Sequence, residues 1–292
     1  VILLDHYLFG NVLRKILPHQ PEQLLWYTLL FNGPHFFASF FTFADKEYLT
    51  YYTRKLMFGI PVIVGLAFLL PYYSLDITII YLVLYTMYHN VSQQTGVTSI
   101  VMKYGGALVT SWRYLNIFLG LYLYMLVYPS PLSALVRSYA HGVVPVLLFA
   151  SFILTYFITK KSQTKEGKYY AWGTALIGGV GTLAFTLGYP FFVATTLRIV
   201  HDLTAFIFYI VHDQNRNREV MHNLIYRYVL PNTSLFIVGI PVLAVALTYI
   251  AQGGTNAMVI QAFAIIAVTH FYIEGFMWKN GTPHRREVTF QY

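Results

Sequence analysis

Apolar runs of roughly 20 residues recur along this chain, and no other feature restricts its fold more. Crossing a hydrocarbon core of about 30 Å takes roughly 20 helical residues. Inside that core every backbone N–H and C=O must be bonded within the chain, which a helix achieves and an open strand does not. About nine such runs lie near 23–43, 56–72, 75–90, 112–128, 141–158, 169–187, 191–212, 233–250 and 256–278. Of the 292 residues 57% are hydrophobic and only 10% charged, too little polar surface to cover a soluble body of that size. The expected fold is all-α: a polytopic integral membrane helix bundle of about nine transmembrane helices. It comprises an N-terminal segment over 1–22, a single transmembrane domain over 23–278 and a basic tail over 279–292.

The breaks between runs alternate in charge, an independent sign of the same layout. Lys46, Arg54 and Lys55 follow the first run, and Lys103 and Arg113 the third. Lys160, Lys161, Lys165 and Lys168 follow the fifth, Arg216, Arg218 and Arg227 the seventh, and Lys279, Arg285 and Arg286 the ninth. The other breaks, PYYSLD, YPSPLS, GYP and AQGGTN, carry neither Lys nor Arg. The positive-inside rule then puts the C-terminus in the cytoplasm and the residue before Trp26 outside, with Arg137 the exception. The formal net charge of +8 is accounted for by this topology and by contact with anionic membrane lipid, so nucleic acid is not an expected partner. The first residues carry Asp5, His6, Arg14 and Lys15 and form either an interfacial helix or a tenth, partial span; the charge alternation favours the first.

The chain has no cysteine, which excludes disulfides, thiolate metal sites and iron–sulfur clusters together. Any metal sits on His, Asp or Glu. Gly178, Gly179 and Gly181 read as a surface for close helix packing.

An ionisable group inside a spanning helix costs several kcal/mol unless it is paired or liganded, so each one is a functional candidate. His35, His89, His212 and His270 fall in the cytoplasmic halves of four different runs, and Glu274 follows His270 by one helical turn on the same face. Four helices are expected to meet around one polar pocket. His201 shares a face with His212, eleven residues on, but at about 1.5 Å per residue the two stand too far apart to ligate one ion. Either can be the ligand, and His212 is preferred. Neutral imidazoles on rigid helices suit iron, zinc, copper or manganese, and Glu274 and Asp213 are the carboxylates placed to orient an imidazole or to ligate directly. Tyr88, Gln93 and Gln94 are near enough to His89 in sequence to hold a bound water or dioxygen.

The segments GPHFFAS, YHNVSQQ, FYIVHDQNR and THFYIEGFMWK resemble, in order and surroundings, the polytopic bacterial and archaeal carotene dioxygenases of the Brp/Blh type. The resemblance implies iron ligands at His35, His89 and His212, with His270 and Glu274 in support. Phe36 and Ser39 stand where the family has Gly and an acid, and Arg216 where its third motif has a second His. The resemblance therefore leaves His201, His270 or Glu274 to complete the shell.

The leading expectation is an intramembrane non-haem metal enzyme, an iron(II)-dependent oxygenase that takes dioxygen and a lipid-soluble substrate such as a carotenoid or other long apolar chain. Zinc or haem are the alternative cofactors. A non-catalytic membrane subunit or proton-coupled transporter, with buried His, Asp and Glu as proton carriers, is the alternative class.

Overall fold

The structure, a computed structural model, describes residues 1–128, 131–252 and 257–288. Among the described residues the regular structure is helical, and an isolated bridge between Asp45 and Asn223 is the strand-like pairing. In chain order the helices are α1 (Ile2–Tyr7), α2 (Val12–Ile16), α3 (Leu25–Tyr27), α4 (Gly33–Thr42), α5 (Lys46–Tyr73), α6 (Leu75–Met102) and α7 (Ala107–Met125). There follow α8 (Pro131–Lys161), α9 (Lys165–Thr186), α10 (Pro190–Arg216), α11 (Leu224–Val229), α12 (Phe236–Gln252), α13 (Ala257–Met277) and α14 (Pro283–Glu287).

Among the described residues, four helices are long and apolar enough to cross a membrane: Lys46–Tyr73, Ala134–Lys161, Pro190–Arg216 and Thr233–Ala251. Large apolar side chains such as Met57, Phe58, Val62 and Phe68 on α5 and Val146 and Phe149 on α8 stay exposed, as a lipid-facing surface requires. The remaining apolar runs are less uniform than their composition leads one to expect. The run near 23–43 is broken: α3 passes into a π-helical stretch, Thr28–Asn32, before α4 begins. Pro34 explains the break, since it lacks an N–H and its ring crowds the preceding turn. Helix α6 is long, but His89, Asn90, Gln93, Gln94, Thr95 and Thr98 dilute its apolar character.

The chain divides into two compact units, Val1–Leu24 with Asp76–His201, and Leu25–Leu75 with Asp202–Tyr292. In the first unit α7, α8 and α9 pack together around Leu119, Leu123, Val144, Ala184 and Val193. Polar bonds tie the same helices: Trp112 Nε1 donates to Thr155 Oγ1 at 2.8 Å and Ser151 Oγ to Asn116 Oδ1 at 2.9 Å. The glycine surface on α9 does admit close packing, because a methyl at Gly178 would lie 2.9 Å from Leu119. Thr164 caps α9 by accepting from Gly167 N at 3.0 Å, and its hydroxyl donates to Val101 O at 2.6 Å.

In the second unit α4 packs on α12 and α13, and α13 also packs on α5. Gly33 makes the approach to α12 possible, since a Cβ there would fall 2.2 Å from Thr248 Cγ2. Asp45 caps α5 through Glu47 N at 2.8 Å, and Arg216 at the end of α10 reaches both acids, Asp45 at 2.9 Å and Glu47 at 2.6 Å. Asn223 caps α11 and donates through Nδ2 to Phe41 O at 2.6 Å, which fastens that short helix to the end of α4. These contacts help to fix α4, α10 and α13, the helices that carry His35, Asp202, His212, Asp213, His270 and Glu274.

Candidate metal centre

Helix α4 brings His35 and α13 brings His270 into the interior of the second unit, where they are 1% and 0% exposed. Their rings meet edge to face with centroids 4.6 Å apart, and one ring nitrogen of each lies within 4.8 Å of the other. Two carboxylates flank the pair. Asp202, on α10, stands 3.4 Å from His35 Nδ1, and Glu274, one turn beyond His270, stands 3.6 Å from His270 Nε2. Donor atoms sharing one ion at about 2.0–2.2 Å each lie roughly 3–4 Å apart, so both spacings suit an ion between the groups.

Two contacts bracket the His270 ring. Ser39 Oγ, which also lies 2.7 Å from Phe36 O, is 2.8 Å from His270 Nδ1, and Glu274 Oε2 is 3.6 Å from Nε2. When the Ser39 hydroxyl accepts from Nδ1–H, a neutral ring turns its Nε2 lone pair to Glu274. A lone pair and a carboxylate oxygen repel at that range unless a cation lies between them. Ser39 plays the part that an outer-shell acceptor plays for a ligating imidazole. Glu274 is held from behind: the Tyr209 hydroxyl and Trp278 Nε1, the latter at 3.3 Å, both donate to Oε1.

His212 sits elsewhere on α10. It is ten residues past Asp202, about 15 Å along the helix. Its Nδ1 bonds to Asp213 Oδ1 at 2.7 Å, which makes Nε2 the acceptor for the Tyr48 hydroxyl at 3.1 Å. Both ring nitrogens are engaged, so the sequence preference for His212 as a ligand over His201 finds no support in its surroundings. Asp213 in turn accepts from Tyr226 at 2.6 Å. Burial, and then the Asp213 charge, raise the Tyr226 hydroxyl well above the usual phenol range, which keeps it a donor.

His89 and His201 belong to the first unit, 7% and 2% exposed, with ring centroids 5.0 Å apart at 83°. His201 also lines a small cavity of about 30 Å³ together with Asn90, Gln94, Asn116 and Thr174. Gln94, singled out by its nearness to His89, donates to Thr174 Oγ1 at 3.3 Å and accepts from Tyr170 at 3.4 Å.

Asp202 is a candidate from sequence, an ionisable group inside an apolar run, whereas four residues that the structure places around these histidines, Ser39, Tyr209, Trp278 and His284, are given no role by sequence. Asp202 stands beside His201 in the chain, and its own signal is Tyr209, seven residues on along the same helix face, as Trp278 lies on the face of Glu274. Ser39 gives no signal, because its partner is 231 positions away. His284 reads as a tail residue, yet it is wholly buried, stacked on His212 with centroids 5.0 Å apart at 15°. No family model, curated protein or solved structure matches the chain.

Proposed function

We propose that this chain is an intramembrane non-haem metal enzyme, an iron-dependent oxygenase acting on a lipid-soluble substrate such as a carotenoid or other long apolar chain. His35 and His270 hold the metal, Glu274 completes the nearest shell, and Asp202 either ligates or orients His35. The observation that carries this reading is His270 Nε2 facing a buried carboxylate oxygen 3.6 Å away, a spacing a bound cation would bridge. Two imidazoles with one or two carboxylates suit a divalent first-row metal with open positions. Bound iron would supply dioxygen activation. The residues do the rest: Ser39 holds the proton on His270 Nδ1, Tyr209 and Trp278 hold Glu274, and the aromatic surroundings, Phe36 against His270 at 5.1 Å among them, exclude water and suit an apolar chain. In this reading about nine helices cross the membrane and the C-terminus is cytoplasmic, as the charge alternation implies.

The same observation favours a second reading. A proton on His270 Nε2 would also bridge the gap, giving a buried imidazolium–carboxylate pair of the kind a proton-coupled transporter uses. Oxygen uptake separates the two. Purified protein loaded anaerobically with iron(II) should consume dioxygen when a carotenoid or polyunsaturated lipid is added, with oxygenated product detected by mass spectrometry. Metal-free protein that moves protons across proteoliposomes, with no uptake after iron loading, would replace the enzyme by the carrier.

A further inference from the structure

The first unit holds a larger cavity, about 140 Å³, which has no part in the proposed chemistry. One water needs only about 10–15 Å³. Arg14 and His19 line this cavity beside Leu17, Tyr189, Phe191 and Phe192, and no carboxylate is among the lining residues. The wall is thus apolar with one permanent cation.

The backbone that carries that exposed cation is held in place. Asp5, 1% exposed, accepts from the backbone N–H of Leu13 at 3.0 Å and of Arg14 at 3.4 Å and from the Tyr189 hydroxyl at 2.8 Å, so α2 is pinned to the start of α10. Gly188 makes room for the guanidinium. Its φ is +75°, and a Cβ there would lie 2.9 Å from Arg14 Cζ. With the Asp5 carboxylate occupied by those three donors, the Arg14 guanidinium forms no ion pair among the described residues. Phe9, Val12 and Ile16 on the same segment are exposed, a surface suited to acyl chains rather than to water.

We propose that this cavity binds the anionic head of a membrane lipid, a carboxylate or phosphate oxyanion on Arg14, with the first methylenes of its chain against Leu17, Phe191 and Phe192. A guanidinium presents a planar fork of donors that matches either oxyanion, and apolar walls of this kind favour hydrocarbon over a hydrated metabolite.

The test uses the full chain in a neutral detergent and native mass spectrometry, with oleic acid and dioleoyl phosphatidylglycerol as probes. Oleyl alcohol, dioleoyl phosphatidylcholine and inorganic phosphate are the controls. One equivalent of an anionic lipid should bind, and Arg14→Gln should weaken it at least ten-fold. Leu17→Trp, which fills the cavity and leaves the charge, should do the same, while Lys168→Gln, an exposed cation of the same unit, should not. Preference for oleate identifies a carboxylate ligand and preference for phosphatidylglycerol a phosphate. Equal binding of the neutral lipids, saturation by inorganic phosphate alone, or undiminished binding in both cavity variants would overturn the proposal.

Discussion

His270 Nε2 faces Glu274 Oε2 across 3.6 Å, one helical turn along α13, while Ser39 on another helix lies 2.8 Å from the opposite ring nitrogen, Nδ1. The i,i+4 spacing brings the two side chains to one face, and a serine that accepts from Nδ1–H would leave the lone pair on Nε2.

Ser39→Ala removes that acceptor and leaves a buried N–H without it, so metal affinity should fall about ten- to hundred-fold, the usual effect of losing an outer-shell partner. Chelator competition on the purified protein measures it. Unchanged affinity would mean that the Nδ1 contact does not orient the ring.

Gly33→Ala should destabilise the protein by about 1–3 kcal/mol, since the new methyl meets Thr248 in a packed interior. Thr248→Ala removes the obstructing atoms, and the double variant should recover most of the loss in detergent melting experiments. Additive losses would show that α4 and α12 do not approach as closely as the glycine implies.

His284 gives the pH dependence its sign. Burial, and then His212 and Arg216 nearby, push its pKa down to about 2 from 6.5. The folded state therefore binds fewer protons than the unfolded one as pH falls below about 6.5. The stability contribution is complete above that pH and declines by about 1.4 kcal/mol per unit below it. Melting temperature should drop between pH 7.5 and pH 5, and His284→Gln should flatten the drop. An equal drop in the variant would assign the acid sensitivity to other groups.

Arg216 joins Asp45, Glu47 and, at 3.6 Å, Glu287, and lies over the Tyr48 ring with Cζ 4.9 Å from its centroid. Arg216→Ala leaves the buried Asp45 carboxylate without its charge partner and should cost about 2 kcal/mol or more. Arg216→Lys should recover only part of that, because one ammonium cannot serve two carboxylates with the geometry of a guanidinium fork. Full recovery by lysine, read in the same melting experiments, would reduce the cluster to a simple point-charge effect.

Helicity is legible in the sequence because apolar runs of membrane length leave a chain little else to do. The π-helical stretch before Pro34 and the extension of α6 to Met102, past the apolar run near 75–90, do not show in that pattern. His35, His270 and Glu274 stand out because ionisable groups are rare in such runs. Their supports do not: Ser39 and Tyr209 are ordinary residues of a helix, and only tertiary packing brings them to His270 and Glu274. The preference for His212 lacks support for the same reason. A histidine followed by an aspartate reads like a ligand and its carboxylate, but Tyr48, 164 positions earlier, takes the remaining nitrogen. His284 is hidden because the tail looks polar, and nothing local signals that Thr282 caps a short helix whose second residue turns inward.

Metal content is the most direct measurement. Protein purified in mild detergent from iron-sufficient cells, without added chelator, should carry close to one transition-metal ion per chain by elemental mass spectrometry. His35→Ala, His270→Ala and Glu274→Ala should each lose most of it, and His212→Ala should keep it. Wild-type protein free of transition metal, or a His212→Ala protein that loses its metal while His270→Ala retains it, would contradict a centre built on His35, His270 and Glu274.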